Sequence, residues 1–145
     1  MSGVLSSAEI TRLATVEALP DLLALLDATV SEAGCDDDLL FPVHLATEEA
    51  CTNVITHGYA DGPPGPLRLH VAVTAEAVTV TLTDAAPTFV PSAAPAPDLD
   101  ADAMDRPIGG LGWHLIRETM DDVRHEALPG GGNRLTLIKH RPTTP

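Results

Sequence analysis

Hydrophobic and polar residues repeat along the chain with two different periods. Leu67, Leu69, Val71 and Val73 alternate with Arg68, His70, Ala72 and Thr74. After Ala75 and Glu76, Val78, Val80 and Leu82 alternate in the same way with Thr79, Thr81 and Thr83. A period of two marks a half-buried strand, and two such runs across a short break predict a hairpin. Leu19, Leu22, Leu23, Leu26 and Val30 recur instead at helical spacing, with Gly34 placed to end that helix. A second helix is expected to start at the acidic Asp36, Asp37 and Asp38, which suit the positive end of the helix dipole, and to run to about His57 before Gly58. Leu111, Leu115, Ile116, Thr119 and Met120 mark a third. Further strands are expected at Glu9–Val16, Val123–Leu128 and Arg134–His140, the last two joined by a turn over Pro129 to Gly132.

The order strand, helix, helix, two strands, loop, helix, two strands predicts an α+β fold. Its form is a two-layer α/β sandwich, a mixed and mostly antiparallel sheet with helices on one face. Between Asp84 and Gly110 the chain carries Pro87, Pro91, Pro95, Pro97 and Pro107 among many alanines. Loops this long inside a compact domain are either functional or solvated linkers, and the pattern alone leaves both open. With 145 residues, 1–145 is expected to form one domain.

Composition narrows the partners. Aromatic residues make up 3% of the chain against 44% hydrophobic overall, so the core must be aliphatic. A formal charge of −13 argues against direct nucleic-acid binding, which draws its affinity from Lys and Arg. Cys35 and Cys51 form no spaced framework, no leader-like start is seen, and no run approaches the length of a membrane span. The expectation is a cytoplasmic protein with two reduced thiols and no membrane partner.

On the second helix, Ala46, Glu49, Ala50, Asn53 and His57 fall at spacings of three and four and share a stripe in which three residues are polar. A carboxylate and an amide on an inward stripe need water, metal or ligand. Glu49 can accept a proton, and the Asn53 oxygen suits a hard cation such as Mg²⁺. A solvated helix face would give the same pattern. Asp84 at a strand end fits a turn former as well as a ligand contact. The run Gly109, Gly110, Leu111, Gly112 before a helix lets backbone amides approach phosphate oxygens. No Walker A string, full Rossmann pattern or nucleophile elbow accompanies it. His44 and Glu48 lack a third ligand at zinc-like spacing.

The string from Glu48 to Tyr59 resembles the N-box of anti-sigma-factor serine/threonine kinases, whose ATPase domain has the Bergerat (GHKL) fold. The resemblance covers about residues 10–140 and has three ordered motifs. It implies that Glu49 is the general base and that Asn53 binds Mg²⁺, with His57 either touching the nucleotide or fixing the helix end. Asp84 to Phe89 resembles the adenine box, in which Asp84 would accept from the adenine amino group. The family usually has Gly where this chain has Ala86, which is expected to strain the loop or narrow the pocket if positive φ is needed. Gly109 to Ile116 resembles the phosphate box, placing Gly109, Gly110, Leu111, Gly112 and Trp113 at the cofactor and residues 85–108 as the ATP lid. Arg106 would reach the γ-phosphate. Gly131 to Lys139 resembles the last strand, with Asn133 where Thr is common and an amide able to reach water or adenine.

By this resemblance the chain would bind ATP and Mg²⁺, phosphorylate a STAS-type anti-anti-sigma protein, sequester a sigma factor or similar regulator, and form a homodimer. The rival from another class is a nucleotide-sensing partner-switching module with little or no kinase activity; Glu49 favours the enzyme, Ala86 and Asn133 the rival. A histidine-kinase catalytic domain shares the fold, but no helix bearing a phosphoacceptor His stands before residue 10.

Overall fold

A computed structural model describes residues 3–60, 62–87 and 110–142, the side chains of residues 110–112 excepted. Strand β1 (Val4–Leu13) leads through one 3₁₀ turn (Val16–Ala18) into α1 (Leu19–Glu32), then α2 (Asp37–Asn53) and a π-helical turn (Val54–Gly58). Next come β2 (Pro66–Thr74), β3 (Ala77–Asp84), α3 (Gly110–Thr119), β4 (Asp122–Ala127) and β5 (Asn133–His140). The strands form one sheet in the order β1-β2-β3-β5-β4. Every pairing among the described residues is antiparallel, so the expected mixed sheet becomes a wholly antiparallel one.

The alternation read from the sequence is what divides the faces. Leu67, Leu69, Val71, Val73, Val78, Val80 and Leu137 are fully buried, and Leu82 nearly so. α1 packs on β1 and β2, α2 touches β3 and β5, and α3 reaches β4, so the helices cover this side. The core they close contains Leu22, Leu26, Val30, Val43, Ala46, Ile116 and Trp113. On the opposite face, Arg68, His70, Thr81, Thr83 and Arg134 line a depression of about 350 Å³ with Glu9. Its two arginines are held by Glu9 and, at 3.2 Å, by Glu126.

Local chemistry sets the helix ends. Gly34, at φ +81°, turns the chain out of α1, with the Cys35 N–H still bonded to the Val30 carbonyl. The Asp36 carboxylate caps α2 by accepting from the Leu39 N–H at 3.2 Å. Lys139 donates to the Thr119 carbonyl at 2.9 Å, a cation where α3 presents its negative end. The first strand departs from expectation: it begins at Val4 and stops at Leu13, not at Val16. β1 is an edge strand held by its ladder to β2, and Val4, Leu5 and Leu13 are more than half exposed, so its hydrophobic pattern carries little register information.

The turn between β4 and β5 is made by Gly130, Gly131 and Gly132, all at positive φ. A Cβ on Gly130 would meet nothing within 4 Å, whereas one on Gly132 would overlap the Asp84 carbonyl oxygen. Gly130→Ala is expected to cost about 1–2 kcal/mol for the left-handed backbone alone. Gly132→Ala adds the overlap and is expected to lose at least about 1 kcal/mol more. Urea unfolding of the two variants checks the ranking, and equal losses would refute the close approach.

Candidate functional site

Three core-facing stripes of the sheet end in polar residues at one corner. On β3 the series Val78, Val80, Leu82 continues into Asp84; on β5, Leu137 and Leu135 lead back to Asn133; on β4, Val123 is followed by His125. The register pairs Asp84 with Asn133 and His125 with Leu135, which brings the three together. Asn133 is buried, and its amide nitrogen donates to Asp84 Oδ1 at 2.9 Å and to the Pro87 carbonyl at 3.2 Å. His125 Nε2 lies 2.8 Å from the Asn133 amide oxygen. The Ala86 N–H also donates to Asp84 Oδ1, at 2.9 Å.

The π-helical turn after α2 is tied to this corner. The Tyr59 hydroxyl donates to the Pro66 carbonyl and accepts from the Ala85 N–H, both at 2.7 Å. Gly65 makes room for the ring, because a Cβ there would overlap it. Burial raises the Tyr59 phenol above its usual range; the Ala85 bond opposes this and the Asp84 charge adds to it. The hydroxyl therefore keeps the proton it donates to Pro66. Helices that end in π-turns do so often at functional sites.

On α2, Ala46 and Ala50 face the core, while Glu49 and Asn53, one turn apart, are half-buried. The Asn53 amide nitrogen is buried with no hydrogen-bond partner among the described residues. A buried amide donor without a protein partner calls for an acceptor, which a water or a ligand can supply. His57 is exposed on the π-turn. Glu48, with its side chain 43% exposed, lies 3.6 Å from His44 Nε2, whose other nitrogen is 2.7 Å from Asp27 on α1. That cluster joins the first two helices. Cys51, one step from Ala50, is fully buried, and burial followed by the Glu48 charge pushes its thiol up to about 12. It is an inert core residue.

The other expected positions are placed as follows. Gly110, Leu111 and Gly112 form the first turn of α3, so their backbone N–H groups lie at its positive end. Trp113 is 7% exposed and belongs to the core beneath that turn. Arg106, Gly109 and residues 88–108 of the expected lid lie outside the described residues. The expected strain at Ala86 is not found: no non-glycine residue among those described has positive φ. Its methyl is also 2% exposed, turned away from solvent. Three contributors escape sequence reasoning: Tyr59 as a clamp, His125, and Gly132. The continuation of the β3 and β5 stripes into Asp84 and Asn133 is a signal for the corner, whereas the Tyr59 contacts have none in local pattern.

The donor set fits Mg-ATP in a limited sense. No cluster of three or more His, Cys, Asp or Glu suited to a metal occurs among the described residues. A cation here would take one protein oxygen, from Asn53, with phosphates and water completing its shell, which suits Mg²⁺. No helix among the described residues is long and apolar enough to cross a membrane.

Comparison with known proteins agrees with this arrangement. Residues 13–139 match the model of the histidine kinase-like ATPase domain. The serine/threonine-protein kinase BtrW of Bordetella bronchiseptica is 29% identical over 102 residues, covering 70% of this chain and 71% of that protein. The anti-sigma F factor of Bacillus subtilis is 27% identical over 125 residues, 81% of this chain and 76% of the relative. In the crystal structure of the RsbU and RsbW domains of a Mycobacterium tuberculosis protein, the match has a TM-score of 0.66 at 21% identity. It covers 94% of this chain and 33% of that longer one, and speaks to fold alone. From an antiparallel sheet with helices on one face, an α2 helix tied through Tyr59 to the loop after Asp84, and a domain match over nearly its full length, the chain belongs to the histidine kinase-like (GHKL) ATPase family.

Proposed function

We propose that the chain is a Mg-ATP-dependent serine/threonine kinase that phosphorylates a STAS-type anti-anti-sigma protein and holds a sigma factor or similar regulator. The observation that carries this reading is the pairing on α2: a half-buried Glu49 one turn before Asn53, whose buried amide nitrogen lacks any described protein partner. A module that only senses nucleotide has no use for a carboxylate at that position. Ala86, one of the residues that favoured such a module, sits without backbone strain, which supports the enzyme further. The same reading has it act as a single-domain, cytoplasmic homodimer.

In this mechanism Asp84 accepts a hydrogen bond from the adenine amino group, and the loop tied down by Tyr59 forms the adjoining wall. Asn53 would hold the cation through its amide oxygen, with phosphates and water completing the shell. The first-turn amides of α3, at Gly110 to Gly112, face the phosphates, with Gly109 and Arg106 extending that contact. Glu49 takes the proton of the partner's serine or threonine hydroxyl as its oxygen attacks the γ-phosphorus and the bond to the β,γ-bridging oxygen breaks. Bound Mg-ATP supplies the phosphoryl group and the charge neutralisation that its transfer needs.

Glu49→Gln is expected to lower phosphate transfer to a cognate STAS protein by about 100-fold or more, the usual worth of a general base, with ATP affinity within about twofold of the parent. Transfer of labelled phosphate and calorimetric binding check the two halves, and undiminished transfer would remove Glu49 from its role. Asn53→Ala is expected to abolish the extra thermal stabilisation that Mg²⁺ adds to ATP. Thermal shifts with ATP, with and without Mg²⁺, measure this; a variant that keeps the full Mg²⁺ increment would show that the cation is held elsewhere.

A further inference from the structure

The corner at Asp84 contains more than an acceptor. Around the Asn133 side chain, Asp84 Oδ1 at 2.9 Å, the Pro87 carbonyl at 3.2 Å and the Ala86 carbonyl at 3.5 Å all lie on the side of its nitrogen. All three are acceptors, so only the NH₂ end of the amide can face them. The amide oxygen must then turn toward His125, 2.8 Å away, and His125 must present Nε2–H to it. A reversed amide would set oxygen against carboxylate and two carbonyls. The orientation is thus fixed by chemistry, not by the appearance of the side chain.

The same wiring fixes Asp84. Oδ1 receives two protein donors, the Asn133 amide and the Ala86 N–H. Oδ2 carries no hydrogen bond among the described residues and is left as the outward acceptor. A carboxylate held at one oxygen cannot rotate to suit a different ligand. We propose that Asn133 and His125 are positioning residues for base recognition. By locking Asp84 with Oδ2 outward, they set a preference for 6-amino over 6-oxo purine nucleotides. The inference rests on Asp84 as the base acceptor in the proposed function.

The selectivity follows from acceptor pairing. A 6-amino group donates to Oδ2, whereas a 6-oxo group opposes it with a second acceptor that the fixed carboxylate cannot avoid. A site built to meet a donor rejects the analogue lacking one, since its buried polar group is left unpaired. Loss of the His125 donor removes one of the bonds that orient the buried Asn133 amide, loosening its hold on Asp84. Discrimination should then fall together with affinity. The Asn133 nitrogen, already engaged with three acceptors, serves the ligand through Asp84.

The test uses the full chain and calorimetric affinities for ATP and for inosine triphosphate, which differs from it at the purine 6-position. His125→Ala and Asn133→Leu are expected to weaken ATP binding about 5- to 20-fold and to shrink the ATP-to-ITP affinity ratio at least about 5-fold. His125→Gln, which keeps a donor near the same place, is expected to stay within about twofold of the parent in both. Asp84→Asn tests the underlying reading: it should lose ATP affinity and discrimination together. If Asp84→Asn leaves both intact, the base-acceptor reading fails and the proposal with it. If Asp84→Asn behaves as expected but His125→Ala and Asn133→Leu keep the parent ratio, the positioning role is overturned alone. An equal loss for both nucleotides, tracking a lower Tm and not rescued by His125→Gln, would reduce the pair to ordinary structural residues.

Discussion

The apolar stripes of a two-layer fold have to end somewhere, and in this chain three of them end in polar side chains at the same corner. Val78-Val80-Leu82 runs into Asp84, Leu137-Leu135 into Asn133, and Val123 into His125. A polar group at the edge of a core is costly unless its hydrogen bonds are made, so each of these residues constrains the next. Asn133 is satisfied only with its nitrogen on Asp84 and its oxygen on His125. Gly132 is required because the backbone of β5 must approach the Asp84 carbonyl closely enough for this to happen. The site is therefore the place where the core stops, and its rigidity comes from finishing that core.

The second half of the site reaches this corner through the π-turn. α2 delivers Glu49 and Asn53 on its half-buried side, then widens into one π-turn at Val54–Gly58 before Tyr59 bonds to both Pro66 and Ala85. One hydroxyl thus joins the chain leaving the N-box helix, the start of β2 and the loop after β3. With its donor and both partners satisfied, the clamp couples the carboxylate and amide of α2 to the carboxylate of β3 through backbone, without any direct ion pair.

Much of this layout is legible in the amino-acid sequence. The period-two runs of β2 and β3 name the buried face residue by residue, and Asp36 and Gly34 mark helix ends where they occur, because these signals are local. The stripe of Glu49 and Asn53 is visible as well, and its resemblance to an N-box gives it meaning. What stays hidden rests on long-range pairing: Asn133 and Asp84 are 49 residues apart, and only the register of β3 with β5 brings them together. The bounds of β1 escape for a different reason. As an exposed edge it is fixed by backbone ladder bonds, to which side-chain pattern is nearly blind.

Ala86 shows how a departure from a family pattern can be absorbed without touching the ligand side. A methyl in place of Gly would do harm by straining a left-handed backbone; that strain is absent, since the residue has ordinary backbone, and its methyl is 2% exposed. The methyl points instead at the π-turn, where Gly58 faces it: a Cβ added to Gly58 would lie 3.4 Å from that of Ala86 and 3.3 Å from Val54 Cγ1. That separation from Ala86 is ordinary van der Waals contact, and the tighter approach is to Val54 within the same π-turn, so the Ala86 methyl leaves room at Gly58. With an ordinary backbone and a buried methyl, the Ala86 substitution taken alone carries no argument against nucleotide binding.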